Sequence, residues 1–226
     1  MGRTDCRPRS DYYTASIRQR RKPNAEQRRR DLCDAAIELL AADGARGLSH
    51  LKVDRKAALP DGTTSFYFRT REALLHAVAA RVAELDLADL AYVTGGVSTA
   101  LLDGGVSTLA TVTMSSAAEP GLTRTKARYE LLMHANRDPA MAETFRQTIA
   151  QMTEMGRLFI VALQPADAAA DRALIDDQTF AVLTFINGVL FNFARGDHTV
   201  RSAEQLDRFI SAIVSGVATE TRSPTA

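Results

Sequence analysis

Apolar residues recur at three- and four-residue spacing along most of this chain, the period of one helix face, and no stretch alternates convincingly as a strand would. Leu32, Ala36, Ile37 and Leu40 form the first stripe. Asn24, with Gln27 three residues on, is placed to cap that helix in a capping-box arrangement, and Asp43-Gly44 ends it. A longer stripe runs from Arg71 to about Tyr92 through Leu74, Leu75, Val78, Val82, Leu85 and Leu90. Thr94-Gly95-Gly96 and Asp103-Gly104-Gly105 then punctuate the chain. Helices are expected over about 106–118, 121–136, 139–164, 170–195 and 203–218, with breaks marked by Pro120, Pro139, Pro165 and Gly196. With two short helices between the first two stripes the total is nine, which predicts an all-α protein in two domains.

The segment from Ser49 to Leu75, SHLKVDRKAALPDGTTSFYFRTREALL, holds those two short helices. Ser49 is a good N-cap, and Val53 and Ala57, four apart, share one face of the first helix. Pro60 lacks an N–H and biases Leu59 away from helical angles, so Leu59-Pro60-Asp61-Gly62 is a turn. Thr63 to Phe68 then makes about two turns, too short and polar to be stable alone but suited to a groove while its neighbours hold it. This is the layout of a helix-turn-helix, with Asp61–Phe68 as the helix that would enter the major groove.

These residues resemble the DNA-binding domain of TetR-type transcriptional regulators. That family's pattern runs Ala-Gly-Val-Ser, a variable residue, Gly-Thr-Leu-Tyr, two residues, Phe, two residues, Lys, and an acid followed by Leu. Ala57, Gly62, Thr63, Phe68, Glu72 and Leu74 match, and Arg71 keeps the charge at the Lys place. The resemblance spans roughly Glu26 to Val78; beyond it the likeness is one of length and helical pattern. The departures are as informative. Asp54 stands where a small apolar residue is usual, Ala58 replaces a glycine, Pro60 replaces the serine that caps the recognition helix, and Ser65 replaces a tyrosine. Ala58 would cost up to about 1 kcal/mol if the turn needs a left-handed residue there. A lost serine cap costs a similar amount, which Pro at a first helical position partly offsets.

Charge sharpens the picture. The net charge of +1 over 226 residues hides 16 Lys/Arg against 10 Asp/Glu up to Leu75 and 12 against 17 beyond it. A basic third on an acidic body is the footprint of a nucleic-acid binder, although a solvated patch has the same composition. Residues 1–23, with seven Lys/Arg and few apolar residues, read as a mobile basic arm, either drawn to phosphates or the minor groove or simply solubilising. Two cysteines make no disulfide framework, with Cys33 on the apolar side of its helix and Cys6 in the polar arm. No apolar run approaches the ~18 residues of a membrane span and the start has no signal-like segment, so the expected location is the cytoplasm.

Catalytic chemistry is not indicated. His50, His76, His134 and His198 lack metal-ligand spacing, and no P-loop, dinucleotide fingerprint or nucleophile elbow occurs. No cofactor is expected. Met133, Met152, Met155, Phe159 and Phe185 belong to Met/Phe stripes that are either plain core or the lining of an apolar ligand cavity. His134 and Asn187 would add polar contacts there, and Arg128 and Glu130 can form an ion pair. The two C-terminal helices, amphipathic and joined by a short turn at Gly196-Asp197-His198, are either monomer core or half of a four-helix homodimer interface in which Gly188 permits close approach.

The resemblance implies a homodimeric regulator, a ligand-released repressor on a near-palindromic double-stranded operator, with a small hydrophobic or amphipathic effector. Its parts would be a basic arm (1–23), a helix-turn-helix domain (24–70) and a helical ligand-binding and dimerisation domain (71–226). By position Thr63 and Ser65 would read bases, and Ser49, His50, Tyr67 and Arg71 would anchor phosphates. Asp61 either accepts from a cytosine amino group or stabilises its helix N-terminus. The alternatives are an enzyme on a helical bundle and a ligand-binding or adaptor protein with a degenerate helix-turn-helix, motivated by Asp54, Pro60 and Ser65.

Overall fold

The computed structural model describes residues 25–100, 108–164 and 171–222, without the side chains of residues 90, 92–100, 221 and 222. The basic arm, Cys6 and Asn24 lie outside them. Nine α-helices and no strand are present among the described residues: α1 (Ala25–Gly47), α2 (His50–Lys56), α3 (Thr63–Tyr67), α4 (Arg71–Ala100), α5 (Thr108–Ser115), α6 (Gly121–Ala135), α7 (Pro139–Leu163), α8 (Arg172–Ala194) and α9 (Ala203–Arg222).

Caps and punctuation set most boundaries. Gly44 breaks α1 with φ 67°, a left-handed angle that glycine takes without steric cost, and one further turn reaches Gly47. Ser49 caps α2 by accepting from the Lys52 N–H. Asp138 caps α7 ahead of Pro139 in the first turn, accepting from the Ala140 and Met141 N–H groups, and Asp171 caps α8 by accepting from Leu174. Two expectations need correction. The recognition helix is shorter than Asp61–Phe68, because Gly62 at φ 94° starts it and Phe68 is already extended. Thr94-Gly95-Gly96 does not end α4, which continues to Ala100. Glycine weakens a helix by about 1 kcal/mol but, unlike proline, does not forbid one.

Two apolar clusters hold the chain together. The first joins Leu32, Ala36, Ile37 and Leu40 of α1, Val53 of α2 and Phe68 to Leu74, Leu75, Val78 and Val82 of α4. It also takes in Leu131 of α6 and Met141 and Phe145 of α7, so the small N-terminal helices share their core with the body. Cys33 sits in this cluster; burial, with the Asp34 charge second, pushes its thiol up to about 12, so it packs as a small apolar group. The second cluster gathers Leu109 of α5, Phe159 and Ile160 of α7, Ile175, Val182, Ile186, Val189 and Phe193 of α8, and Leu206 and Ile210 of α9. Buried Gln178 adds a polar tie, donating to the Val214 carbonyl at 2.8 Å. By length and composition alone α8 could cross a membrane, but one of its sides is packed into this cluster.

Helix α6 is tied to α4 through charge. Arg128 grips Asp86 of α4 with two hydrogen bonds, of 2.7 and 2.5 Å, and Arg124 pairs with Asp86 at 3.0 Å and with Asp89. The Arg128–Glu130 ion pair does not form. Residues two apart on a helix diverge by about 200°, and Glu130 faces α1 instead, accepting from the Ala45 N–H at 3.1 Å.

Candidate nucleic-acid interface and effector region

The turn between α2 and α3 is built around Asp54, which is fully buried. Its Oδ2 accepts from the Gly62 N–H at 2.8 Å, and its Oδ1 accepts from the Thr64 N–H at 2.7 Å and the Thr64 hydroxyl at 2.5 Å. With Pro60 where a capping serine is usual, α3 has no side-chain cap from its own N-cap residue, Gly62. Asp54 therefore caps α3 from the preceding helix. The carboxylate also partners the Thr64 N–H and hydroxyl, which would otherwise be buried without an acceptor. Ala58 adopts φ 53°, the left-handed angle expected of a glycine at that place. Two of the departures from the family pattern, Asp54 and Pro60, thus compensate each other.

The side chains singled out from sequence fall into distinct surroundings. Asp61 and Ser65 are exposed, and Thr63 is half-buried with its hydroxyl donating to the Pro60 carbonyl at 2.6 Å. Half-buried Tyr67 stands edge-on to Phe66, with ring centroids 5.2 Å apart, and the Arg29 guanidinium lies 5.8 Å from the Tyr67 ring and 4.9 Å from that of Phe68. Ser49 is exposed at the start of α2. His50 Nε2 donates to the Phe68 carbonyl at 2.7 Å, tying the beginning of α2 to the end of α3. Arg71 spends part of its guanidinium inside the protein, on the carbonyls of Leu48 and Ala45. The Ala45 peptide is thereby held by Arg71 at its carbonyl and by Glu130 at its N–H. Arg46, Arg55 and Arg69 are exposed around this unit, with no acidic partner among the described residues.

Sequence reasoning missed three residues. Asp54 appeared only as a departure, although a turn that loses its capping serine needs a substitute acceptor. Glu130 acts across 85 positions and left no local signal. Phe66 was passed over, yet it is 78% exposed, far more than an apolar side chain in a packed helix.

The residues expected to bind an effector stand in different surroundings. Met133 is 66% exposed, Asn187 is exposed, and Phe159 is buried in the second cluster. His134, Met152, Met155 and Phe185 are half-buried. Tyr129 donates to the Asn187 carbonyl at 2.9 Å, and burial raises the pKa of its phenol. Of the seven, Phe185 alone borders either of two open recesses between α8 and α9, of about 430 and 400 Å³. Periodicity marks a helix face but does not say whether a cavity, a core or solvent lies against it.

The same α8–α9 surface carries Phe209 (42% exposed), Ala212, Ile213 and Phe185, and a Cβ at Gly188 would meet nothing within 4 Å. A helix-turn-helix held on a larger helical body defines the class of this molecule. Neither a protein-family model nor a curated protein matches the sequence. Solved structures do resemble it. A TetR-family member from Streptomyces coelicolor A3 is 24% identical with a TM-score of 0.59, over 83% of this chain and 98% of that one. A Mesorhizobium loti MAFF303099 protein described as a TetR-family transcriptional regulator is 18% identical with a TM-score of 0.64, over 88% and 98%. The multidrug binding protein EbrR complexed with ethidium is 23% identical with a TM-score of 0.56, over 84% and 99%. The chain has the fold of the TetR-family regulators.

Proposed function

We propose that this chain is a sequence-specific DNA-binding transcriptional regulator of the TetR type, without enzymatic activity, acting in the cytoplasm as a homodimer on a near-palindromic operator. The observation that carries this is the Asp54 cap, which fixes a short, solvent-facing α3 on a fold shared with TetR-family regulators. Thr63, Ser65 and Asp61 would face base edges, and Ser49, His50 and Tyr67 phosphates, with Arg71 adding its remaining donors. Residues 24–70 form the DNA-binding part in this reading, 1–23 a basic arm beside it and 71–226 the effector and dimerisation part.

Release by a small hydrophobic or amphipathic effector completes the proposal, and makes the protein a repressor. Support comes from the Met- and Phe-rich body and from EbrR, which has been solved with ethidium and with proflavin. Asp54, Pro60 and Ser65 motivated the adaptor alternative, and the mutual compensation of the first two weakens it. Selection from a random duplex pool tests the proposal. An enriched near-palindrome is expected, and a pool with no enrichment would favour the adaptor.

A further inference from the structure

Few polar side chains on α3 are available to read bases. Thr64 is buried on Asp54, and the Thr63 hydroxyl donates to Pro60. From Asp61 to Phe68 there is no Arg, Lys, Asn or Gln, the residues that pair bidentately with guanine or adenine. What α3 holds out furthest is apolar. Phe66, 78% exposed, lies about 200° around the helix from buried Thr64 and so points away from the body. Its ring is steadied edge-on by Tyr67, itself flanked by Arg29, and exposed Arg55 and Arg69 supply the charge that draws this face to phosphates.

We propose that Phe66 determines specificity by covering the 5-methyl group of a thymine in each operator half-site, an inference that rests on the regulator reading above. In the major groove that methyl is the apolar mark of an A·T pair, and a phenyl ring gains by removing it from water. Cytosine carries only a C–H at that ring position, so the same phenyl ring would find no methyl to cover.

The test uses the full chain and a duplex recovered from the random pool, with each thymine replaced in turn by uracil, which removes only the methyl. One position per half-site is expected to be sensitive, binding about fourfold more weakly when exchanged, the factor for one buried methyl. Phe66→Ala is expected to bind the thymine and uracil duplexes equally, and Phe66→Leu to restore part of the difference. Unchanged circular dichroism and melting of both variants separate this from misfolding. A uracil penalty of the same size in wild type and Phe66→Ala, or no sensitive position, overturns the role of Phe66 while a selected operator still supports the regulator. No enriched duplex at all overturns both.

Discussion

With Pro60 at the position of a capping serine, the Gly62 and Thr64 N–H groups at the start of α3 have no local side-chain acceptor, and Asp54 supplies one from the helix before. Asp54→Ala is expected to cost about 2–3 kcal/mol, since it strands buried donors that now share a charged acceptor. Asp54→Asn should cost less, because its carbonyl still serves Thr64 while its amide faces the Gly62 N–H. Urea unfolding measures both, and an Asp54→Ala midpoint equal to wild type would contradict the cap. At this scale the sequence was partly legible. The motif located the turn, and Ala58 takes the left-handed angle foreseen for it. The purpose of Asp54 was hidden because its partners lie eight and ten residues away across a turn, where neither periodicity nor propensity registers a contact.

Helices were far more legible than their connections. Proline, glycine and capping acids act within a turn of the chain, so they place the ends of α6, α7 and α8 to within a residue or two. The links between helices depend on packing. At one of them, Asp138 at the start of α7 meets His76 Nε2 of α4 at 2.5 Å. The His76 hydrogen bond first, then the Met141 N–H, lowers the Asp138 pKa below its usual 3.8. A carboxyl depressed in the folded state stabilises fully above its unfolded pKa and loses that contribution as pH falls through the lower, folded value. The melting-temperature gap between wild type and Asp138→Ala should therefore be constant near neutral pH and shrink below about pH 4. A gap that stayed constant to pH 2 would mean that the carboxylate charge does not contribute. His76 was read only as lacking metal-ligand spacing, because its partner lies 62 positions on.

For the whole molecule, fold class was legible and assembly was only suggested. The amphipathic pattern of α8 and α9 could not distinguish a face buried within the subunit from one buried between two subunits. The structure leaves Phe185, Phe209, Ala212 and Ile213 at the surface and open space at Gly188. A Cβ at Gly188 meets nothing within 4 Å in its own chain, so Gly188→Leu points its side chain into open space beside the helix, and replacing a helical glycine favours the helix. It is expected to yield folded monomers with weak operator binding, since each subunit would hold one half-site. Sedimentation showing the variant still dimeric would move the interface elsewhere.

Base-specific recognition by α3 is the central claim, and the ratio of two affinities tests it most directly. The duplex selected from the random pool and a scrambled duplex of equal length should be titrated with the full chain at the same physiological salt. A sequence-reading dimer is expected to bind the selected duplex at least about 10³-fold more tightly. Equal affinity for the two would show that the basic N-terminal third attracts phosphates without reading bases, and would contradict the account.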